Sequence, residues 1–350
     1  MAVERRLEVP VLVAPATGKD GATIRERLVP VASLQVDDVR FEFDSSFVLP
    51  DAADDFTAVD LIHRANPDAP VSIFGHADPV GDDEYNKILS GRRAMAIFAV
   101  LTRRVDLWER LHAKPHGRDD WKAGVFGIMR QALGAVDGAT GVPSSPAARA
   151  TLFAAYMDLL CRNVAGRPFT LDARRDFLAR GDDKEGKGDF QGCGEFNPDI
   201  ILAAGTPGRD QPGPNAARDE ANAPNRRVVI LFFTPGAKAE PSDWPCPRAL
   251  EGTAGCRKRL WSDATQRRRP AAETRDQRKT GDTYACRFYD RIAPPPDPRG
   301  PGRLIRSLGL GNFSAVPVTP VPAVTDPHPA SNTEVFAVDT SPRVKPLPET

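Results

Sequence analysis

Apolar and polar positions along residues 71–101 predict a buried strand followed by a long helix. The strand begins with residues 71–74 (VSIF), a short apolar run that is typical of a sheet interior. Pro79 disfavours helical backbone in the residue before it, so the strand ends there and Asp78 lies on the following loop. Turn residues and acidic side chains at positions 81–84 are typical of a first helical turn.

The predicted helix carries two separate stripes of side chains. One stripe is apolar and follows the i, i+3, i+4, i+7 spacing of a helix face that packs on a sheet. Its members are Ala94, Ile97, Phe98 and Leu101. The other stripe holds Asn86, Leu89 and Arg93 at i, i+3 and i+7, so these side chains lie on a different face. We expect the chemistry of the chain on this second stripe.

Asp78 and Arg93 form the central pair of candidate residues. Asp78 follows a strand, and Arg93 lies about two turns into the helix that packs beside that strand. A carboxylate and a guanidinium held apart are complementary to a zwitterion, because the acid binds an ammonium group and the Arg binds a carboxylate. The alternative is an ordinary ion pair between the two side chains, which contributes about 0–1 kcal/mol at a surface.

Alternating patterns elsewhere predict the remaining strands and one more helix. Residues 1–35 predict a strand or hairpin arm, and residues 39–43 predict the first strand of the main domain. A helix is expected to begin near Pro50 and to end near His63. The apolar run at residues 228–233 predicts the strand that closes the sheet.

Three further segments extend the chain beyond a single small domain. Residues 102–185 predict a helical insertion, because a connection of this length rarely lacks structure of its own. Residues 236–293 predict a small β-rich appendage that contains cysteines, with a strand at residues 284–292 (YACRFYDRI). Residues 294–350 are rich in Pro and small polar residues, and they predict a disordered tail.

The composition limits the classes of function. The chain has 350 residues, of which 41% are hydrophobic, and this predicts two or three globular domains. Lys plus Arg equals Asp plus Glu at 47 each, so nothing indicates nucleic acid or an acidic membrane surface as a partner. No run approaches the roughly 18 apolar residues of a transmembrane helix. Glu8 and Pro10 interrupt the apolar N-terminal stretch, and no signal peptide is evident.

The five cysteines cannot all pair within one chain, because five is an odd number. Cys246 and Cys256 lack the CxxC spacing of a zinc site and have no histidine nearby, so we expect no metal and no cofactor. If the chain functions outside the cytoplasm, a disulfide between Cys246 and Cys256 would close a short loop and add roughly 2–3 kcal/mol of stability.

Four motifs in order resemble one known family. Residues 75–94 follow the pattern GHAD-xx-G-xxx-YN-xx-LS-x-RRA. Residues 39–44 (VRFEFD), 192–198 (GCGEFNP) and 225–228 (NRRV) fit the same family in the same order. Together they resemble the OmpA-like peptidoglycan-binding domain, the family of the peptidoglycan-associated lipoprotein and MotB. The resemblance covers about residues 39–101 and 186–233.

The resemblance implies a fold and a location. The fold is an α+β, βαβαβ sandwich with a mixed sheet and helices on one face, here split into residues 36–101 and 186–235. The location is the cell envelope, in the periplasm and associated with the outer membrane. The domain would anchor an attached assembly to the cell wall, with a secretion machine or another envelope protein as a further partner.

The resemblance also implies a ligand and a set of site residues. The ligand is the diaminopimelate residue of the peptidoglycan stem peptide, bound without catalysis, with Asp78 and Arg93 clasping its zwitterionic end. The second helical stripe adds Asn86 and Leu89 to the same site. By resemblance Asp44 faces this site, and the alternative is that it is only an acidic turn residue ahead of a helix. Either Arg226 or Arg227 completes it, and the sequence leaves the choice open because adjacent strand residues point in opposite directions.

Two other functions remain open from the sequence. The chain is alternatively a secreted effector or cell-wall hydrolase, with His112 and His116 near Asp119 and Asp120 as the available chemistry of the insertion. No HExxH zinc motif or nucleophile elbow accompanies them. A third reading is a structural adaptor of a secretion system, in which the binding site no longer functions.

Overall fold

The computed structural model describes separate stretches of the chain around one mixed β-sheet. The described residues are 16–17, 23–24, 28–134, 141–199, 220, 222–257, 260–262 and 284–292. The strands are β1 (Ala16–Thr17), β2 (Thr23–Ile24), β3 (Pro30–Asp37), β4 (Val71–His76), β5 (Phe190–Gly192), β6 (Arg227–Phe233), β7 (Leu260–Ser262) and β8 (Tyr284–Cys286). The helices are α1 (Ala53–Ala65), α2 (Asp83–Thr102), α3 (Val105–Ala113), α4 (Ala123–Ala132), α5 (Pro146–Leu160), α6 (Ala254–Arg257) and α7 (Arg287–Ile292). Most of the predicted arm and the whole predicted tail lie outside these residues.

The main sheet has four strands in the order β3–β6–β4–β5. Strand β6 runs antiparallel to both of its neighbours, whereas β4 and β5 are parallel. The resulting mixed sheet with packed helices confirms the predicted α+β, OmpA-like sandwich. The ends of β3, β4 and β5 and the start of β6 meet at one edge of the sheet, and this edge positions the candidate site.

The first strand is not where the sequence places it. Strand β3 pairs with β6 from Pro30 to Asp37, so most of the first strand lies within residues 1–35, the segment predicted as an arm. The predicted strand at residues 39–43 is wrong: its start is a 3-10 turn, and Phe41 forms only an isolated bridge with Val48. The physical reason is burial, because the outward side chains at 39 and 43 are 69% and 76% exposed, whereas β3 offers a buried apolar face to the helices.

Strand β6 is apolar at every position after Arg227, and both of its faces are covered. Consecutive strand residues point to opposite faces, so a continuous apolar run needs cover on both sides. On one face, the helix-side cluster includes Val228, Ile230 and Phe232 together with residues of α1 and α2. On the other, the back-face cluster includes Val229, Leu231, Phe233, Phe74, Trp244, Phe288, Tyr289 and Ile292. Residues of the predicted appendage (236–293) therefore cover the face of the sheet that α1 and α2 leave open.

The predicted insertion contains α3, α4 and α5 and shares the helix-side cluster. Its aromatic side chains surround Phe47 of the main domain, with ring centroids 5.6 Å from Trp121, 5.7 Å from Tyr156 and 6.2 Å from Trp108. Tyr156 also donates a hydrogen bond to the carbonyl of Val48 at 3.0 Å. The insertion thus packs against the loop that follows β3, and its core is continuous with that of the domain.

The appendage is only partly β-structure. Strand β8 pairs antiparallel with β7, but the predicted strand at residues 284–292 stops at Cys286 and continues as α7. The strand prediction is therefore wrong for residues 287–292, because their apolar side chains pack against the back face of the sheet in helical form. Within the described ranges, no helix combines the length and apolar character needed to cross a bilayer.

Two motif glycines allow α2 to approach the sheet closely. A Cβ atom on Gly75 would lie 1.9 Å from the carbonyl oxygen of Ser90, and one on Gly192 would lie 2.4 Å from that of Lys87. Any side chain at these positions would push the helix away from β4 and β5. The glycines therefore fix the distance between the sheet edge and the polar stripe of α2.

Candidate ligand-binding site

Four side chains of alternating charge form a continuous row at the edge of the sheet. Asp78 accepts a hydrogen bond from Arg226 at 2.6 Å, and Arg226 donates through Nε to Asp38 at 2.6 Å. The other oxygen of Asp38 accepts from Nη1 of Arg93 at 2.8 Å. We call Asp78, Arg226, Asp38 and Arg93 the charged row. Asp78 and Arg93 are therefore brought to one site without pairing directly with each other.

Each member of the charged row comes from a different element at the same sheet edge. Asp38 follows β3, Asp78 follows β4, Arg226 precedes β6 and Arg93 lies within α2. Antiparallel pairing places the end of β3 and the start of β6 side by side, with Asp37 opposite Arg227. The register therefore brings residues far apart in sequence into hydrogen-bond contact.

The row is most accessible at its centre. The side chains of Asp38 and Arg226 are each 18% exposed, against 12% for Asp78 and 3% for Arg93. Burial raises the pKa of Asp78 above its usual value, and the neighbouring Arg226 only partly offsets this effect. A solute would therefore reach the central pair first, and Asp78 holds its negative charge less firmly than an ordinary Asp.

Arg93 is held in place without using all of its donors. Its Nε donates to the carbonyl of Ser45 at 2.8 Å, and its guanidinium carbon lies 4.9 Å from the ring centre of Phe41. Nη1 binds Asp38. Among the described residues, no hydrogen bond is made by Nη2 of Arg93. The fork is thus oriented by the protein, and the N–H groups of Nη2 remain for a further acceptor.

The other residues predicted from α2 lie next to the row. Asn86 donates through its side-chain amide to the carbonyl of Asp78 at 3.1 Å and to Glu195 at 3.1 Å. It therefore holds the Asp78 loop in place. Leu89 is buried one turn before Arg93. Asp44 directly precedes Ser45, and it accepts a hydrogen bond from the hydroxyl of Tyr85 at 2.9 Å.

Arg226 and Arg227 point in opposite directions, as expected for neighbouring residues at a strand start. Arg226 lies in the charged row. Arg227 is buried elsewhere, where it donates to the carbonyl of Asn197 at 3.1 Å and pairs with Asp199 at 2.8 Å. The structure therefore places Arg226, and not Arg227, beside Asp78.

Sequence reasoning missed Asp38, the residue that links the two arginines of the row. Asp38 lies immediately after β3, and its position follows from the pairing of β3 with β6. The signal for it was an Asp pair directly after an alternating apolar segment at residues 30–36. Because the strand was predicted at residues 39–43, this acidic pair did not stand at a predicted strand end.

A second cluster beside the row is structural in character. Asp119 of the insertion accepts hydrogen bonds from the hydroxyl of Ser45 at 2.8 Å and from the backbone and hydroxyl of Ser46 at 2.8 and 2.7 Å. It also pairs with Arg92, a neighbour of Arg93 in α2. Burial alone would raise the pKa of Asp119, but Arg92 and Ser46 outweigh burial and lower it. The insertion thus fixes the Ser45 carbonyl that orients Arg93.

The residues considered for hydrolytic chemistry are engaged in packing. His112 lies 3.1 Å from the carbonyl of Trp121, and His116 stacks on Tyr85 with ring centres 4.8 Å apart. Asp119 is fully buried in its cluster with Arg92. Across the part of the chain that the structure describes, no group of three or more His, Cys, Asp and Glu side chains is arranged to hold a metal ion.

Comparison with known proteins identifies the family of a region that contributes two members of the charged row, Asp78 and Arg93. Residues 40–120 match the model of the OmpA family. The chain carries an OmpA-family domain. The match includes Asp44, Asp78, Asn86, Leu89 and Arg93. It ends within the predicted insertion, so Asp38 and Arg226 lie outside it, and strands β5 and β6 complete the sheet beyond it.

Two curated proteins are similar to parts of the chain. One is outer membrane porin F of Pseudomonas fluorescens, 38% identical over 66 residues, which is 19% of this chain and 20% of the porin. The other is photosystem I P700 chlorophyll a apoprotein A2 of Gloeobacter violaceus, 37% identical over 87 residues, which is 25% of this chain and 10% of that protein. The chain thus spans a fifth or less of the length of these relatives.

Proposed function

We propose that this chain binds peptidoglycan without catalysis, through the diaminopimelate residue of the stem peptide, and that it anchors an attached assembly to the cell wall. The OmpA-family domain at residues 40–120 supports a cell-wall-associated role. The similarity to a protein named as an outer membrane porin supports a location in the cell envelope. The envelope or secretion partner belongs to the same proposal.

The observation that carries the proposal is the alternating charge of the row. The free end of diaminopimelate carries an ammonium and a carboxylate on one carbon atom. In the charged row, each carboxylate stands beside a guanidinium at 2.6 to 2.8 Å. A zwitterion that enters at the centre of the row replaces the protein's own ion-pair partners. Its ammonium binds Asp78 or Asp38 in place of a guanidinium, and its carboxylate binds Arg226 and Nη2 of Arg93 in place of a carboxylate.

The net charge of the row predicts how binding depends on salt. Two carboxylates and two guanidinium groups sum to zero, and so does the zwitterion. Binding therefore releases few counterions, in contrast with binding of a polyanion, where affinity falls steeply with salt. We expect the affinity for the stem peptide to change by less than about threefold between 50 and 200 mM salt.

The test is a titration of the full chain with a diaminopimelate-containing stem peptide, beside sedimentation with insoluble peptidoglycan of the same type. Asp78→Asn keeps the shape of the side chain but removes the charge that binds the ammonium, and we expect at least roughly tenfold weaker binding. A lysine-type stem peptide lacks the second carboxylate, so it should bind the unaltered chain more weakly.

Arg104→Ala is the matched control for these titrations. Arg104 pairs with Asp106 at an exposed surface, with side chains 46% and 61% exposed, and belongs to the same chain but not to the row. Its loss should leave binding unchanged. Equal binding by the Asp78→Asn variant and the unaltered chain would contradict the proposed site, and clearing of a cell-wall suspension would contradict a non-catalytic role.

The adaptor function remains the second candidate, and one observation favours it. All three contacts of the charged row are already made within the protein, so the row neutralises itself. In an adaptor these contacts would only fix the sheet edge. The same titration decides between the two functions, because a silent titration with a fully folded chain favours the adaptor.

A further inference from the structure

Four of the five cysteines converge on the back face of the sheet, opposite α1 and α2. Cys193 directly follows β5, and Cys286 is the last residue of β8. Cys256 lies within α6, and a loop joins it to Cys246. Cys193, Cys256 and Cys286 belong to the back-face cluster, and Cys246 packs against it. The fifth, Cys161, is buried in the helix-side cluster across the sheet. The odd number of cysteines thus divides into a group of four and a single distant thiol.

Hydrogen bonds with the side chain of Asn197 bring Cys286 close to the turn that begins at Cys193. The N–H of Phe196 donates to the carbonyl of Cys193 at 3.3 Å, which closes this turn. Asn197, at the end of the turn, accepts a hydrogen bond from the N–H of Cys286 at 2.8 Å. Its amide also lies 3.5 Å from the carbonyl of Cys286. Residues 89 positions apart in sequence are therefore joined beside these two cysteines.

The loop between Cys246 and Cys256 closes on itself. A Cβ atom on Gly255 would lie 3.0 Å from the Cβ of Pro247, so the residues just inside the two cysteines approach each other too closely for a side chain at position 255 to fit easily. The N–H of Cys256 donates to the carbonyl of Thr253 at 2.8 Å, which turns the chain back at this point. The two cysteines thus stand at the ends of a closed loop.

Cys193, Cys256 and Cys286 are buried and Cys246 is half-buried, and neighbouring thiols in this group affect one another's pKa. Burial, and then the neighbouring Cys286, raise the pKa of both the Cys193 and the Cys246 thiol well above the usual value. A thiol with a raised pKa is rarely ionised and reacts slowly once the protein is folded. Among the described residues these cysteines form no arrangement that could hold a metal ion. We therefore expect these thiols to react while the chain folds, before they become buried.

We propose that the four cysteines form two disulfides, Cys193–Cys286 and Cys246–Cys256, when the chain folds in an oxidising compartment, and that Cys161 remains a thiol. The Cys193–Cys286 bond joins the appendage to the sheet, and the Cys246–Cys256 bond closes the loop between residues 246 and 256. Each bond forms by thiol–disulfide exchange: two thiols lose two protons and two electrons to a donor disulfide, which becomes two thiols. In the structure all five cysteines are in the thiol form.

The test is to refold the full chain in a buffer of reduced and oxidised glutathione and to count thiols after denaturation. We expect five thiols in the chain kept reduced and one in the refolded chain. Peptide mapping without reduction should join the peptides of Cys193 and Cys286, and those of Cys246 and Cys256. Cys161→Ala should keep both bonds and leave no thiol, whereas Cys286→Ser should keep only the second bond and leave two thiols.

Three outcomes would overturn the proposal. The first is five thiols after refolding in oxidised glutathione. The second is a bond that involves Cys161 or joins the four in another pairing. The third is about one zinc ion per purified chain that protects the thiols from exchange, since this would make the group a metal site. None of these outcomes depends on whether the chain binds peptidoglycan.

A second measurement tests what the bonds do. Because each disulfide restricts the opened chain, reduction should increase the rate of proteolytic cleavage after residue 236 by at least roughly tenfold. The Cys161→Ala chain should respond to reduction in the same way as the unaltered chain. An unchanged cleavage rate after full reduction would show that the disulfides do not hold the appendage on the sheet.

Discussion

Arg92 and Arg93 are adjacent in α2 and both are buried, yet the two regions they enter differ. Arg92 uses every nitrogen of its side chain: Nε pairs with Asp119, Nη1 donates to the carbonyl of Lys114 at 2.7 Å, and Nη2 donates to that of Leu111 at 2.9 Å. Arg93 donates through Nε to Ser45 and through Nη1 to Asp38, and among the described residues its Nη2 makes no hydrogen bond. Its partner Asp38 is shared with Arg226.

The difference separates a structural arginine from one suited to a ligand. A saturated, buried ion pair has no capacity for a new acceptor, and breaking it leaves an uncompensated charge. A row that shares its carboxylates can exchange partners at a smaller cost, because each group keeps a neighbour of opposite charge. We therefore expect substitutions in the Arg92–Asp119 cluster to reduce stability and substitutions in the charged row to reduce ligand binding.

The largest expected effect is on stability, from Asp119→Ala. This change leaves Arg92 buried without its carboxylate and removes the acceptor of Ser45 and Ser46, so unfolding should become easier by about 3–5 kcal/mol. Urea denaturation of the full chain measures this. Asp106→Ala, which breaks the exposed pair with Arg104, is the control and should cost less than about 1 kcal/mol. A similar loss of unfolding free energy in the two variants would mean that the buried pair with Arg92 stabilises the fold no more than the exposed pair with Arg104.

Arg93→Lys should act mainly on binding. Lysine keeps the positive charge but cannot contact Asp38, Ser45 and a ligand carboxylate with one planar fork. We expect affinity for the diaminopimelate stem peptide to fall by about ten- to a hundredfold, which is about 1.4–2.8 kcal/mol. The free energy of unfolding should fall by less than in Asp119→Ala. A variant that loses stability but binds normally once folded would assign Arg93 to the structural class.

The two regions should also separate by pH. The raised pKa of Asp78 means that its negative charge is lost at a less acidic pH than in an ordinary Asp, so binding should weaken early as the pH falls. For stability the same shift acts the other way, because a raised acid pKa favours the folded state at low pH. The pKa of Asp119 is lowered, so its stabilising effect is present above the unfolded value and is lost only at lower pH.

Titration and urea denaturation between pH 7 and pH 3 measure both quantities on the same chain. We expect affinity to decline at a higher pH than stability does. In Asp78→Asn the early decline in affinity should disappear, because the titrating group is gone. Coincident loss of binding and of structure would mean that the acid effect is global unfolding.

Tyr85→Phe should have the smallest effect. The hydroxyl of Tyr85 donates to Asp44, which is partly exposed, and the ring keeps its stacking on His116 without the hydroxyl. Loss of one such hydrogen bond costs about 0.5–1.5 kcal/mol of stability. Binding should change by less than about threefold, because among the described residues Asp44 forms no hydrogen bond or ion pair with the charged row. A larger loss would place Asp44 in the site.

Local patterns in the sequence predicted the parts of this site that depend on neighbouring residues. The strand at β4, the helix α2 and the positions of Asp78 and Arg93 follow from periodicity and from Pro79. The alternation at residues 39–43 led to the wrong first strand, because alternation at residues 30–37 is equally regular and only pairing with β6 decides between them. Asp38 was missed for that reason.

Contacts over long sequence distances could not be predicted in the same way. Asp119 reaches Ser45 across 74 positions, and Arg226 reaches Asp78 across 148. Neither residue carries a local signal that names its partner. The grouping of four cysteines is a similar case, since their spacing alone favoured only the pair Cys246 and Cys256, which remains a prediction.

The position of β6 has a consequence for synthesis of the chain. This strand lies between β3 and β4 in the sheet, yet it follows both of them and the whole insertion in sequence. A ribosome must therefore complete about two thirds of the 350 residues before the sheet can assemble, and long-range strand pairing of this kind is slow. Until then the apolar β4 emerges without a partner on that side, and we expect the nascent chain to depend on a chaperone through this interval.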